Sequence, residues 1–168
     1  LARGRIHEVD LPYRLADDFS EAVVSASIAC ESTGPASVSC AVEDPSGRQV
    51  AEYTEPVANG AARFEIRLPD PELWWPRDHG RPSRHRFALR LLDSDGACID
   101  EAIRYTGFRR ARLVMHEPEW ERPGAFPKSR SRPPVTLEIN GRRIFAKGSN
   151  WVPPEIFPGI IDERRYRR

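Results

Sequence analysis

The strongest constraint on the fold of this chain is a two-residue alternation of apolar and polar side chains. It recurs in residues 22–30, 63–68 and 86–91. Because successive side chains of a β-strand point to opposite faces, this pattern is typical of antiparallel strands with one buried and one hydrated face. Spacing typical of a helix is absent until residues 162–168. The chain is therefore predicted to be all-β.

Turn-forming residues separate the alternating segments, for instance at residues 44–47 and 94–96. Asn140-Gly141 predicts a tight hairpin, since these two residues accept the positive φ angles of a type I′ turn. About seven strands at roughly ten-residue spacing are typical of an immunoglobulin-like antiparallel β-sandwich, which is the predicted fold. The predicted strands are residues 3–11, 21–31, 36–43, 48–54, 61–68, 84–93 and 97–105.

Composition and charge argue against several classes of partner. The net charge is +1, and no apolar run approaches the roughly 18 residues that a membrane-spanning helix needs. Acidic residues outnumber basic ones up to residue 106, and arginines predominate after it. Such asymmetry can indicate a nucleic-acid-binding tail, but these arginines belong to no known recognition module. We interpret the charge asymmetry as two segments of the chain that have different surroundings. We expect neither a nucleic-acid nor a membrane partner.

The cysteines and histidines predict no metal site and no cofactor. Cys30 and Cys40 fall in phase with the apolar residues of their strands, so both are predicted to be buried thiols. With Cys98 the number of cysteines is odd, and no close-spaced pair indicates a disulfide framework or a zinc site. A Cys30–Cys40 bridge between neighbouring strands stays open as an alternative. The histidines are scattered without ligand spacing. The cysteines favour a cytoplasmic protein.

A proline-rich stretch divides the chain. Residues 116–134 contain five prolines and no periodicity, which predicts a linker or a long surface loop. It separates residues 1–115, the predicted sandwich, from residues 135–168, which begin with the predicted Asn-Gly hairpin. The sequence thus predicts one complete domain followed by a second, smaller region.

Four local motifs lie at the beginning or end of predicted elements. They are LWWP (73–76), GFRR (107–110), LEING with IFAKGSNWVP (137–141 and 144–153), and FPG with RRY (157–159 and 164–166). Each motif alone is modest, but their order and spacing resemble the β-mannosidase branch of glycoside hydrolase family 2. The resemblance covers essentially the whole chain, and residues 116–134 are its least similar part.

The resemblance implies the organisation of a larger parent enzyme. Residues 1–115 correspond to a sandwich domain between an N-terminal sandwich domain and a catalytic (β/α)8 barrel. Residues 135–168 correspond to the opening hairpin, first strand and start of the first helix of that barrel. The implied partners are those remaining domains and a terminal β-linked sugar, most specifically a β-mannoside. The family places both catalytic Glu residues beyond Arg168, so this chain alone is expected to be inactive.

No pair of carboxylates in this chain forms a convincing catalytic site. Retaining hydrolysis needs two carboxyl groups about 5 Å apart. Glu21 follows a serine, as in a nucleophile motif, but it opens a predicted strand. Asp17-Asp18 and Asp162-Glu163 are adjacent pairs in a loop and at a helix start, where carboxylates are solvated or cap the helix.

Asn150 and Trp151 are the best candidates for contact with substrate. They follow the presumed first barrel strand at its C-terminal end, where barrel enzymes build their active sites. A tryptophan there can stack on a sugar face, and an asparagine can bond to its hydroxyl groups. The alternative is that Trp151 only packs and Asn150 caps a turn.

Trp74 and Trp75 allow two interpretations. Exposed aromatic pairs bind sugars, so a stand-alone carbohydrate-binding or structural interaction module is the alternative to an enzyme fragment. Beside Leu73 and Pro76 at the entry to a strand, the two rings are more readily explained as a plug on the sandwich edge or at a domain interface. Burial of the rings distinguishes the two interpretations.

Overall fold

The computed structural model of this chain describes residues 4–115, 135–148, 150, 152, 159 and 161–167. Within these ranges the elements are β1 (Gly4–Asp10), β2 (Tyr13–Leu15), β3 (Glu21–Ser32), β4 (Ala36–Glu43), β5 (Gln49–Pro56), β6 (Ala61–Pro69), β7 (His85–Asp93), β8 (Cys98–Thr106), β9 (Ala111–Met115), β10 (Val135–Ile139), β11 (Arg142–Ile144) and α1 (Glu163–Tyr166). The predicted linker, residues 116–134, lies outside the described residues.

Two antiparallel sheets form the predicted sandwich. In the first sheet, β3 pairs with β6 along one side and with β1 and β2 along the other. The second sheet has the order β5-β4-β7-β8. The buried side chains of both sheets belong to one hydrophobic core. The prediction of an immunoglobulin-like antiparallel sandwich is confirmed.

The sequence predicted one strand at residues 3–11, whereas the structure has two short strands in this region, β1 and β2, on the same edge of the sheet. β1 pairs with the C-terminal half of β3, and β2 pairs with its N-terminal half. Pro12 lies between them and has no N–H to give to the ladder. Its carbonyl accepts a hydrogen bond from the Ser25 N–H at 2.9 Å, which keeps both pieces on the same edge of the sheet.

The core follows the predicted alternation. In β6 every second side chain is buried and those between are exposed or half-buried. Because the two sheets turn their apolar faces towards each other, these side chains leave water together, and this burial is the main stabilising contribution to such a fold. The largest fully buried side chains are Phe87, Phe108, Ile28, Ile66, Leu68, Leu89, Leu91, Val24, Val38 and Val42.

The two cysteines predicted to be buried are confirmed as such. Cys30 lies on β3 and Cys40 on β4, in different sheets, and both are free thiols. Burial raises the pKa of Cys40 to about 12 and also raises that of Cys30. Both side chains therefore act as small apolar groups of the core. Cys98 is exposed.

A third, three-stranded sheet has the order β11-β10-β9. The predicted hairpin is present, since β10 and β11 pair across Asn140 and Gly141, whose φ angles are 50° and 77°. β9 was not predicted from the sequence. It continues the chain from the last sandwich strand and pairs with all of β10, so it connects the sandwich directly to the hairpin.

α1 is a single short turn near the end of the described chain. Its N-cap is Asp162, whose carboxylate accepts a hydrogen bond from the Arg165 N–H at 2.9 Å. This confirms the capping role predicted for the Asp162-Glu163 pair. Over the residues that the structure describes, no helix is long and apolar enough to cross a membrane.

A matched pair of leucine substitutions tests where the stability lies. Leu89 is fully buried between the sheets, whereas Leu113 on β9 is 73% exposed. We expect Leu89→Ala to lower the free energy of unfolding by about 2–5 kcal/mol, through lost burial and a cavity, and Leu113→Ala to change it by less than about 1 kcal/mol. Urea denaturation followed by circular dichroism measures both. Equal losses would contradict the assignment of the core.

Candidate functional site

Three of the four sequence motifs meet at one place, which we call the junction: residues 73–76, 107–110 and 139–141. The segment containing Leu73 runs parallel to that containing Phe108, and the Trp74 N–H donates to the Phe108 carbonyl at 2.8 Å. The turn between β10 and β11 lies against both segments. The motifs that were identified separately along the sequence therefore form one contact in space.

Asn140 makes the central contacts of the junction. Its side-chain Oδ1 accepts a hydrogen bond from the Arg110 N–H at 2.8 Å, and its Nδ2 donates to the Trp74 carbonyl at 3.0 Å. Its backbone N–H donates to the Arg110 carbonyl at 2.8 Å. Asn140 is 8% exposed. Only an amide side chain of this length supplies one acceptor and one donor here while accepting a positive φ.

The tryptophan rings of the junction are covered by arginines. The Arg109 guanidinium lies over the Trp74 ring and the Arg142 guanidinium over the Trp75 ring, each 4.6 Å from the ring centre. A Cβ at Gly107 would approach the Trp74 ring to 2.8 Å, so a glycine is needed for this packing. Both rings are half-buried. They do not form an open platform for a sugar, and the structural interpretation of this pair is supported.

A second set of contacts holds the exit strand of the sandwich. The Tyr13 hydroxyl accepts a hydrogen bond from the Arg109 N–H at 3.0 Å, and its ring packs edge-on against Phe108, with centroids 5.0 Å apart. The Arg110 guanidinium bonds to the Asp17 carboxylate at 3.0 Å and lies 4.3 Å from the centre of the Phe19 ring. The sequence predicted no role for Tyr13, which lies outside the predicted strands and belongs to none of the motifs.

The structure describes only one of the two residues predicted to contact substrate. Asn150 is exposed, and Trp151 lies outside the described residues. Their role in substrate binding stays a prediction. Lys147, considered as a pocket cation or a strand-end charge, forms an exposed ion pair with Asp78 at 3.4 Å. Such a pair contributes little to stability.

The acidic residues considered for catalysis have structural contacts. Glu21 forms an ion pair with Arg67 at 3.4 Å as it opens β3. Asp18 caps its own turn: it accepts hydrogen bonds from the Ser20 hydroxyl and N–H, and these bonds lower its pKa. Asp17 forms an ion pair with Arg110. Asp17, Asp18 and Glu21 therefore all have contacts that stabilise the local structure.

A cleft of about 520 Å³ lies at one end of the sandwich, where the β4–β5 turn, the end of β6 and the start of β7 meet. We call it the His85 cleft; its lining includes Asp44, Arg48, Asp70, Glu72 and His85. His85 is 2% exposed, and its ring packs against Phe108 with centroids 4.8 Å apart. Burial lowers the pKa of His85, and the nearby Asp44 and Glu72 carboxylates oppose this in part.

In the described part of the chain, no group of three or more His, Cys, Asp or Glu side chains is arranged to hold a metal ion.

Comparison with known proteins identifies the family. The model of the family described as Glycosyl hydrolases family 2 matches residues 4–109, which contain the two sandwich sheets, the junction segment 73–76 and most of the segment 107–110. The chain belongs to glycosyl hydrolase family 2, as the motifs predicted.

The individual relatives are much longer than this chain. It is 30% identical over 122 residues to a Beta-mannosidase B from Aspergillus terreus, which covers 73% of this chain and 13% of that protein. It is 28% identical over 162 residues to a Beta-mannosidase B from Thermothelomyces thermophilus, covering 91% and 18%. A solved β-glucuronidase from Parabacteroides merdae shares the fold, with a TM-score of 0.65 and 14% identity, over 88% of this chain and 16% of that one.

The junction can be tested by changing a single atom of Asn140. Asn140→Asp keeps the shape and tolerates the positive φ, but replaces the donor to the Trp74 carbonyl by a second acceptor. We expect a loss of about 1–3 kcal/mol in the free energy of unfolding at neutral pH, because a buried carbonyl loses its donor beside a buried charge. Asn59→Asp is the control, since Asn59 also has a positive φ but is exposed. Equal effects of the two substitutions would refute the role of Asn140.

The pH dependence of stability tests the burial of His85. Its folded pKa lies below its ordinary value of 6.5. Stability is therefore complete above about pH 6.5 and falls as the pH drops towards the folded pKa, since the unfolded state binds the proton more tightly. His85→Phe keeps a planar ring against Phe108 and cannot be protonated. Urea denaturation between about pH 7 and pH 5 should show a smaller loss in this variant, and identical profiles would contradict the prediction.

Proposed function

We propose that this chain is the non-catalytic sandwich region of a glycoside hydrolase that cleaves terminal β-mannosides by a retaining mechanism. The two catalytic Glu residues of such a mechanism would belong to another part of the parent enzyme. The observation that carries this proposal is the junction. Its motif residues bond to one another and join the sandwich to the third sheet, which supports an architectural role.

The choice of β-mannoside over other β-linked sugars is supported by the curated relatives. Those at 28–30% identity carry the name Beta-mannosidase B. The β-glucuronidase that shares the fold is only 14% identical, so its likeness concerns the sandwich and not the sugar. The chain spans 13–18% of the length of the two curated relatives, which leaves room in such enzymes for a separate catalytic domain.

One face of the third sheet supports an architectural role. Leu113, Leu137 and Ile144 lie directly opposite one another in the register, so their side chains share a face. Ile144 is buried, whereas Leu113 and Met115 are exposed on this face, at 73% and 38%. Exposed apolar patches of this kind mark interfaces. We propose that the catalytic barrel of the parent enzyme covers this face and that Asn150 and Trp151 enter its substrate site.

A cytoplasmic location is proposed from the cysteines. Cys30, Cys40 and Cys98 are free thiols. Proteins that mature in oxidising compartments more often pair their cysteines, so this content favours a reducing compartment.

Activity assays on two proteins test the proposal. The pure 168-residue chain should not hydrolyse an aryl β-mannoside, whereas the full-length parent should, and should prefer it to the aryl β-glucuronide and β-galactoside. In the parent, Trp151→Ala should lower kcat/KM by about tenfold, since stacking against an aromatic ring contributes about 0.5–1.5 kcal/mol in addition to the burial of its surface. Trp75→Ala is the matched control, because Trp75 lies in the junction; its effect should appear in stability.

Two results would overturn the proposal. Turnover by the pure chain that disappears when one of its own carboxylates is changed would show that it is itself catalytic. A parent enzyme that hydrolyses the glucuronide or galactoside and leaves the mannoside intact would refute the assigned sugar. Unchanged kinetics of the Trp151→Ala parent would remove only the assignment of that residue.

A further inference from the structure

The His85 cleft has no part in the proposed function, and two of its three carboxylates, those of Asp44 and Glu72, are held in place by the protein itself. The Asp44 carboxylate accepts hydrogen bonds from the Ser46 hydroxyl and from the N–H and Nε of Arg48. The Ser83 hydroxyl donates to Glu72 Oε1, and Ser83 is itself buried. Groups that are already oriented lose little conformational freedom when a ligand binds.

The backbone of the cleft wall is also held in an uncommon conformation. Asp70 lies between Pro69 and Pro71 and has a φ of 45°, a region that a non-glycine residue seldom adopts. A following proline further restricts its backbone. The Asp70 N–H donates to the Ser20 carbonyl at 2.7 Å, which secures this turn at the mouth of the cleft.

The charges of the cleft favour a cation. Asp44, Asp70 and Glu72 carry three negative charges, and Arg48, the one basic side chain of fixed charge among the described lining residues, already bonds to Asp44. The pKa of Asp44 is lowered to about 2, mainly by its hydrogen bond with the Ser46 side chain. This carboxylate therefore stays ionised. An anion would be repelled, and a neutral ligand would gain nothing from this field.

His85 supplies an observation independent of the acidic side chains. It is almost completely buried in the wall of the cleft, and among the described residues its Nδ1 has no hydrogen-bond partner. Buried polar atoms are nearly always satisfied, so an unpaired one beside a cavity indicates a missing partner. A ligand that fills the cleft can complete the polar contacts of this ring.

We propose that the His85 cleft binds a guanidinium or primary ammonium group, with Asp70 and Glu72 as its charged acceptors and His85 as the polar wall. The N–H groups of such a cation match carboxylate oxygens in both charge and geometry. Either a small organic cation or an arginine or lysine side chain of another protein carries this chemistry. The proposal does not depend on the glycosidase activity of the parent.

A nuclear magnetic resonance titration tests this directly. Methylguanidinium chloride is added to the isotope-labelled 168-residue chain at constant ionic strength. We expect saturable shifts of the His85 imidazole and of the Asp70 and Glu72 amides, with a Kd on the order of 1 mM. N-methylurea, which has a similar shape without the charge, should give none. Shifts that do not saturate, or that appear equally with the urea, would overturn the proposal.

Substitutions test whether Asp70 and Glu72 form the binding site. Asp70→Asn with Glu72→Gln keeps the shapes and removes both charges, and should weaken binding at least about tenfold. The control is Glu8→Gln with Glu55→Gln, which removes the same charge from exposed strand positions outside the cleft lining and should leave the Kd unchanged. Equal weakening in both proteins would show general electrostatics and no site. If the double variant does not fold, Glu72→Gln alone gives the same test.

A blocked glycyl-arginyl-glycine peptide separates the two sources of the cation. Tighter binding of the peptide than of methylguanidinium would identify an arginine side chain of a protein partner as the occupant. Equal or weaker binding would identify a small free cation. Either result supports the cleft as a cation site, whereas failure of both probes to bind would refute it.

Discussion

The buried carboxamide of Asn140 is the central contact between the sandwich and the third sheet. The side chain of Asn140 bonds to the backbone of Arg110 and of Trp74, which are 30 and 66 residues away in the chain. Both backbone groups would be costly to bury without a partner, so these hydrogen bonds decide where the β10–β11 turn can lie. The stacking of arginines on the two tryptophans then covers the same contact from outside.

Three of the motifs that resemble the family form this contact between the sandwich and the third sheet. LWWP, GFRR and the Asn-Gly turn are far apart in sequence, and all three lie in the junction, where they position β9, β10 and β11 relative to the sandwich. The junction therefore helps to set how the third sheet, with the exposed Leu113 and Met115, lies on the sandwich. This arrangement fits the supporting role that we propose for this region.

Two neighbouring surfaces at one end of the sandwich differ in charge, since His85 of the cleft packs against Phe108 of the junction. The junction is arginine-rich, and its arginines are matched to an aromatic ring, a carboxylate or a backbone carbonyl. The His85 cleft is acidic, with Asp44 and Glu72 oriented by serine hydroxyls. Exposed pairs elsewhere, such as Arg67 with Glu65, add little to stability because water screens them. Stability comes from the core, and the charges of the junction and of the cleft favour different contacts for the two surfaces.

The sequence by itself determined the strands, the buried faces, the type I′ hairpin and the family, because period-two alternation and Asn-Gly turns act within a few residues of the chain. Only the tertiary structure decided that β9 pairs with β10, that the edge beside Pro12 continues as β2, and that Tyr13, Arg110 and Asn140 share one junction. It also placed Asp70, Glu72 and His85 around one cleft. These contacts join residues that no local pattern connects, since side chains from distant strands meet only when the sheets pack.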